Sequence, residues 1–116
     1  MGLVQSSGRP VVARGPGLPT LQRLVDGGNG SAAVTVLVNH FAGEQAVPDH
    51  VHDVEEVLVV TDGECVVCVD GQEYVASAGD AVIVSPGSTH SIAHHVPGGC
   101  TVVAVLASPQ VAIWSE

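Results

Sequence analysis

Two histidines and a carboxylate lie close together near the middle of the sequence. His50 and His52 are separated by one residue, so in an extended strand both imidazoles are on the same face. Glu56 has the same parity and adds a carboxylate to that face. Imidazoles with one carboxylate suit Fe, Mn, Co, Ni, Cu or Zn, whereas calcium prefers an all-oxygen set. The segment therefore predicts part of a divalent transition-metal site, with a fourth ligand contributed from elsewhere in the fold.

Other side chains of the same types compete for a place in this site. Glu55 has the opposite parity and should point outward, so Glu56 is the preferred carboxylate. His94 and His95 also differ in parity, so at most one of them faces inward. That one is a candidate general base beside a metal, although an ordinary surface histidine explains it equally well. His40 has the same two interpretations, pocket lining or surface.

The elements that must position these residues are short strands. The chain has 116 residues, 46% of them hydrophobic and 13% charged, with 14 Gly and 7 Pro. From residue 32 onward, β-rich runs alternate with turn signals. Asp62-Gly63 and Asp70-Gly71 are hairpin signals and predict a three-strand meander over residues 54–76. Thr20 to Val25 could form at most one helical turn. The pattern indicates an antiparallel sandwich or small barrel.

The two ends of the chain differ in character. Residues 1–30 show little periodicity and are predicted to form an N-terminal arm or edge segment. Residues 31–116 are predicted to form the barrel domain.

Two predicted strands, residues 57–60 and 102–106, are apolar on both faces. One face of an antiparallel sheet normally meets water. Two apolar faces therefore indicate that a second copy covers the sheet, and we expect a homodimer.

Charge excludes several classes of partner. The formal net charge is −9, and the only basic side chains other than histidine are Arg9, Arg14 and Arg23. Binding to nucleic acid or to an anionic membrane needs clustered Lys or Arg, so neither partner is expected. No apolar run approaches the roughly 20 residues of a membrane span, and no secretion signal is visible. We expect a soluble, cytoplasmic protein.

Three cysteines lie in apolar, strand-like runs. Cys65 and Cys68 have the spacing of a redox or zinc half-motif. In a strand, however, positions three apart point to opposite faces, which separates the two thiols. We interpret both residues, together with Cys100, as reduced core residues.

Two segments together resemble the conserved motifs of the cupin family, over residues 32–107. The first motif is a glycine, His-x-His, a glutamate and a second glycine, here Gly43, His50, His52, Glu56 and Gly63. The second is a glycine, Pro-x-Gly and a histidine, here Gly79, Pro86, Gly87 and His90. Ser85 stands where the second motif usually has its first proline, and His94 where it usually has asparagine. Neither departure alters the ligand set.

The resemblance implies an all-β, cupin-type jelly-roll barrel with one metal site at its mouth. The implied ligands are His50, His52, Glu56 and His90, holding one divalent transition metal per chain. His94 and Glu56 are the implied catalytic candidates for moving a proton.

The resemblance also implies a small organic substrate. A dioxygenase-type enzyme is the leading prediction. The alternatives are a redox-neutral isomerase, cyclase or lyase, such as a polyketide cyclase, and a non-catalytic ligand-binding module. Because only Arg9, Arg14 or Arg23 could pair with an anion, we expect a neutral or metal-chelating substrate.

Overall fold

The protein folds as an all-β domain, which confirms the predicted fold class. The computed structural model describes residues 2–94 and 98–111, and for His94 the backbone alone. Two short 3-10 helices lie at Ser6–Gly8 and Gly27–Asn29. The strands in the described residues are β1 (Val11–Val12), β2 (Thr20–Val25), β3 (Thr35–Phe41), β4 (Ala46–His50), β5 (Glu56–Asp62), β6 (Glu64–Val69), β7 (Gln72–Ser77), β8 (Ala81–Val84), β9 (His90–His94) and β10 (Cys100–Leu106).

The strands form two antiparallel sheets that share one core. One sheet has six strands in the order β1-β2-β3-β10-β5-β8, and the other has four in the order β4-β9-β6-β7. Burial alternates strictly along β10, as expected of a strand with one face toward the core. Leu58 and Leu106 from the larger sheet and Val67 and Ile92 from the smaller one belong to the same buried cluster. The core therefore lies between the two sheets, in a jelly-roll arrangement.

The predicted three-strand meander is wrong in one of its two turns. β6 and β7 pair as a hairpin around Asp70-Gly71, whose φ values of 49° and 84° suit a turn with two left-handed residues. β5, however, pairs with β10 and β8 in the other sheet, and not with β6. Asp62-Gly63 is therefore a crossing between sheets. Sequence pattern alone does not separate the two cases, because both need a glycine with positive φ.

Gly63 is held at this crossing by a close approach of two backbones. Its φ is +74°, and a Cβ there would overlap the carbonyl oxygen of Gly99 and press on Cys100. Gly71 has a similar φ of +84°, but a Cβ there would have no heavy atom within 4 Å. The two glycines thus share the conformational requirement and differ only in the space around them.

We expect Gly63→Ala to destabilise the protein by about 3 kcal/mol or more, because strain at positive φ adds to a steric overlap. The matched control, Gly71→Ala, should cost only about 1 kcal/mol, for the positive φ alone. Urea unfolding of both variants measures the difference. Equal losses would show that the crowding at Gly63 is relieved without cost.

The N-terminal residues add the first edge of the six-stranded sheet. Thr20–Val25 is strand β2 and not a helical turn, since its residues pair with β3 and bury Leu21 in the core. On the face of β2 opposite to Leu21, the side-chain amide of Gln22 donates to the backbone oxygens of Ser6 and Arg9. The segment before β2 therefore lies over the outer face of that strand.

The cysteine thiols are free and lie as the strand alternation predicts. Cys65 in β6 and Cys100 in β10 are buried core residues, as predicted. The prediction of a core position is wrong for Cys68, which is half-buried on the other face of β6. Burial and the neighbouring Cys100 thiol raise the pKa of Cys65 to about 12. Such a thiol is almost never ionised and is poorly nucleophilic.

None of the helices in the described residues is long and apolar enough to cross a membrane.

Candidate metal centre

Strand ends from both sheets bring four potential metal ligands together. His50 ends β4, and His90 begins β9 directly opposite it in the strand register. Glu56 begins β5 in the other sheet, and His52 lies in the loop between β4 and β5. One donor atom from each residue lies within 4.8 Å of all the others. The structure therefore assembles the four residues that the sequence singled out into a cluster that could hold one metal ion.

Backbone carbonyls fix the orientation of two of the imidazoles. Nδ1 of His50 lies 2.8 Å from the oxygen of Pro48, and Nδ1 of His90 lies 3.0 Å from the oxygen of Ser88. A carbonyl oxygen can only accept, so Nδ1 must donate and carries the proton of the neutral ring. The lone pair is then on Nε2, the atom available to a metal. Carbonyl partners of this kind commonly orient histidine ligands at metal sites.

One pair of donor atoms lacks a hydrogen-bond partner within the described residues. Oε1 of Glu56 and Nε2 of His90 are buried and only 2.7 Å apart, and no other described group is a hydrogen-bond partner of either atom. When the ring is neutral with its proton on Nδ1, no hydrogen lies between them. Two lone pairs facing each other at this distance repel unless a cation lies between or beside them. Unsatisfied polar atoms in a protein core call for such an explanation. The arrangement fits a bound metal ion.

The same contact explains the ionisation behaviour of His90. Burial on its own lowers the pKa of the imidazole, but the close Glu56 carboxylate and the Ser88 carbonyl outweigh it, so the pKa of His90 is raised. A positive charge is thus favoured at this position. In the absence of metal, a proton is the cation that meets this preference.

The other two histidines favour the neutral form. Burial lowers the pKa of His50 and of His52, and the neighbouring His90 lowers both further. Glu56 opposes this change, with its Oε2 at 4.0 Å from Nε2 of His52. Neutral imidazole is the form that binds a metal. These two ligands are therefore ready for metal at neutral pH.

A small cavity continues from the cluster into the barrel. Its volume is about 40 Å³, and His50, His52 and Glu56 form one side of it. Two further polar side chains, Arg14 and Asn39, line it as well. The remaining wall is apolar: Leu21, Leu37, Val47, Leu58, Ile92 and Ala104.

The competing candidates from the sequence lie elsewhere. Glu55 is exposed, whereas Glu56 is 4% exposed, in line with their opposite parity. His40 is exposed, with its Nδ1 at 3.2 Å from the hydroxyl of Thr101. The backbone of His94 ends β9, but its side chain lies outside the described residues, as does the whole of His95.

Asn39 is a pocket residue that the sequence analysis missed. It shares the inward parity of Leu37 and Phe41 in an apolar strand, and it is buried. A polar residue at a core position of a strand was the available signal. Arg14 was one of three arginines considered for the pocket, and it is the one that lines the cavity.

Comparison with known proteins gives a consistent result for the fold. A family model described as a cupin domain matches residues 37–106. The structure is similar to the polyketide cyclase RemF from Streptomyces resistomycificus, with a TM-score of 0.78, 20% identity, and coverage of 92% of this chain and 79% of that one. KdgF from Halomonas sp. has a TM-score of 0.80 and 15% identity, over 95% of this chain and 96% of its own.

A third solved structure has a higher sequence identity. It is an RmlC-like cupin from Shewanella frigidimarina, with a TM-score of 0.76 and 24% identity over 91% of this chain and 88% of that one. No curated protein matches the sequence. At these identities the structural likeness concerns the fold alone.

Proposed function

The chain belongs to the cupin family, and from that premise we propose that it is a metal-dependent enzyme acting on a small organic molecule. The observation that carries the proposal is the cluster of His50, His52, Glu56 and His90, with the unpartnered Glu56–His90 pair buried inside it. Three imidazoles and one carboxylate suit a mid-to-late transition metal. A metal bound there would supply an electrophilic centre and, if redox-active, a route for electrons to dioxygen.

The residues around the cluster have separate tasks in this proposal. The carbonyls of Pro48 and Ser88 hold the rings of His50 and His90 with Nε2 toward the cluster. The apolar wall of the cavity limits the entry of water and strengthens every electrostatic interaction inside it. Glu56 would first be a ligand of a bound metal, and its carboxylate could move a proton only when it is not coordinated. His94 remains a proposed second group for proton transfer.

We propose a dioxygenase-type reaction first, in which the substrate supplies the electrons and both oxygen atoms enter the product. A redox-neutral cyclisation, isomerisation or elimination is the second candidate. The polyketide cyclase with a TM-score of 0.78 to this chain illustrates that this fold can host such a reaction. In this second candidate, Glu56 or His94 would move a proton beside a polarised carbonyl.

Oxygen uptake separates the two reactions. The protein is loaded in turn with Fe, Mn, Ni, Cu and Zn and is offered catechol, acetylacetone and small carboxylic acids. Oxygen consumption with a redox-active metal supports the dioxygenase. Product formation without oxygen, with zinc as well, supports the redox-neutral enzyme. Metal-loaded protein that binds these compounds but converts none would contradict an enzyme and leave a ligand-binding cupin.

We also propose a homodimer formed through the outer face of the six-stranded sheet. On that face, side chains from β3, β10, β5 and β8 line up in two rows across the sheet. In strand order, the first row is Val38, Val103, Val59 and Ala81, and the second row is Val36, Val105, Val57 and Ile83. The six valines are half-buried and Ile83 is 67% exposed in the single chain. An apolar patch of this kind marks a surface for association.

We expect Val105→Lys, in the centre of that face, to convert a dimer into a monomer, because the interface would have to bury an unpaired ammonium group. Val75→Lys is the matched control, since Val75 is 58% exposed on β7 in the other sheet. Sedimentation at several concentrations reads out the mass. A monomeric wild-type protein, or a dimer that persists in Val105→Lys, would contradict this interface.

We place the protein in the cytoplasm in this proposal. Its three cysteines are free, and cytoplasmic reductants keep thiols in that state.

A further inference from the structure

The loop between β8 and β9 contacts two of the four candidate metal ligands, and we call residues 85–89 the ligand loop. The backbone N–H of Gly87 donates to the carbonyl of His52 at 2.8 Å. The carbonyl of Ser88 accepts from Nδ1 of His90, the residue that follows the loop, at 3.0 Å. The loop therefore contacts the backbone of one ligand and orients the ring of another, so a group that holds the loop also acts on the cluster.

Asp70, in the turn of the β6–β7 hairpin, holds the end of the ligand loop by two hydrogen bonds. Its Oδ1 accepts from the backbone N–H of Thr89 at 3.0 Å. Its own backbone N–H donates to the carbonyl of Thr89 at 2.8 Å. The strand register places this turn beside the cluster, because Val69, just before Asp70, pairs with His90.

A single peptide group connects Asp70 to the imidazole of His90. The N–H of Thr89 and the carbonyl of Ser88 belong to the same peptide group, which is planar, so holding the N–H also sets the direction of the carbonyl. A carboxylate that accepts from the N–H polarises the group and makes its carbonyl a stronger acceptor. The contacts thus run from the Asp70 carboxylate through the peptide group to Nδ1 of His90.

The hairpin turn itself does not require this carboxylate. Asp70 and Gly71 both have positive φ, 49° and 84°, and Asn-Gly or Gly-Gly suits such a turn as well as Asp-Gly does. The Asp70 side chain is exposed and is not part of the core. The contact with Thr89 is what distinguishes Asp70 from the other residues that suit this turn.

We propose that Asp70 is a positioning residue for His90, acting through the peptide group between Ser88 and Thr89. This rests on the proposed metal-dependent function, and it adds to that function a residue outside the ligand cluster. An imidazole already held with Nε2 toward the cluster loses less freedom when a metal binds. A stronger acceptor at Nδ1 also makes Nε2 a better electron donor, as the partners of ligating histidines commonly do. Asp70 should therefore raise the affinity of the site for a metal.

The test is the zinc affinity of two Asp70 variants, measured by competition with a chromophoric chelator. Asp70→Gly removes the carboxylate and suits the positive φ, so we expect zinc affinity to fall by about fivefold or more, which is the scale of one hydrogen bond. Asp70→Asn keeps an acceptor oxygen without the charge, and we expect it to recover part of this loss. Wild-type zinc affinity in Asp70→Gly would overturn the proposal.

Asp80→Ala is the matched control, because it removes the same kind of contact away from the cluster. Oδ2 of Asp80 accepts from the backbone N–H of Ser77 at 2.9 Å. Asp80 lies beside Val60, toward the end of β5 opposite to Glu56. This variant should keep its zinc affinity within about twofold of wild type. An equal loss in Asp80→Ala and Asp70→Gly would show that weakening any turn weakens metal binding, and it would overturn the positioning role.

The visible absorption of cobalt-loaded protein distinguishes positioning from general support of the fold. Its bands depend on the direction and donor strength of the ligands. Asp70→Gly should shift these bands, and Asp70→Asn should move them back toward their wild-type positions. A residue that only supports the fold would lower the free energy of unfolding and leave the bands in place. Unshifted bands in Asp70→Gly would therefore overturn the proposal.

A measurement on the metal-free protein keeps this inference separate from the proposed function. If wild type takes up neither zinc nor cobalt, the metal proposal fails, but the connection from Asp70 to His90 can still be tested. In protein labelled with a nitrogen isotope, the NMR resonance of Nδ1 of His90 should shift in Asp70→Gly and stay in place in Asp80→Ala at the same pH. An unshifted resonance in both variants would overturn the role of Asp70.

Discussion

The His52→Ala variant is expected to lose its metal. Metal content should fall from about one equivalent per chain in wild type to below about one tenth, because losing a direct ligand costs more than the 10-fold to 100-fold affinity loss typical of mutated ligand-supporting residues. His52 is the best ligand to remove, since it lies in a loop and is half-buried, whereas His90 is 1% exposed at the start of a core strand. Elemental analysis of protein purified without chelator measures the loss.

His40→Ala is the control for the removal of an imidazole. His40 is exposed and its contact is with Thr101, away from the cluster. This variant should keep the metal content of wild type. If His52→Ala also keeps a full equivalent of metal, the four-ligand site is refuted, whichever metal is found.

The identity of the metal recovered from wild type directs the search for activity. A redox-active ion directs it to oxygen uptake, and zinc directs it to cyclisation or isomerisation.

The Leu106→Ala variant is expected to lose much of the protein's stability. Leu106 is 0% exposed at the end of β10, and truncating such a side chain in a packed core costs about 2–5 kcal/mol. Domains of this size are usually stable by only about 5–15 kcal/mol. Urea unfolding of the metal-free protein measures the change without a contribution from bound metal.

Leu3→Ala is the matched control, because it removes the same atoms from a side chain that is 84% exposed. It should leave the free energy of unfolding within about 0.5 kcal/mol of wild type. Similar losses in the two variants would mean that the core around Leu106 collapses to fill the space.

Much of the candidate site was predictable because its residues are local in sequence or carry a motif. His50, His52 and Glu56 fall within one short segment, and strand parity alone distinguished Glu56 from Glu55. His90 was placed by the second motif of the resemblance, because strand parity alone would not have assigned it. The all-β fold was predicted from β-rich runs separated by turn signals, and β3, β5 and β10 lie where three of those runs are.

The contacts that sequence did not predict are those between segments far apart in the chain. Pairing partners of β5 depend on which strands return beside it, and a turn signal at Gly63 carries no information on β8 or β10. Arg14 and Asn39 meet only because the segment before β2 folds back beside β3. Their contact depends on tertiary structure, so local sequence propensity cannot predict it.

The position of β10 in the middle of the larger sheet has a consequence for the order of folding. β10 is the last strand in the described residues, and it pairs with β3 and β5, so that Leu106 lies opposite both Thr35 and Glu56. Contacts between residues so far apart form slowly, because a long loop must close first. On the ribosome, β3 and β5 must therefore wait with open, valine-rich edges until β10 has been synthesised. During that interval the nascent chain is exposed to mispairing and aggregation, and a chaperone that covers those edges would raise the yield of folded protein.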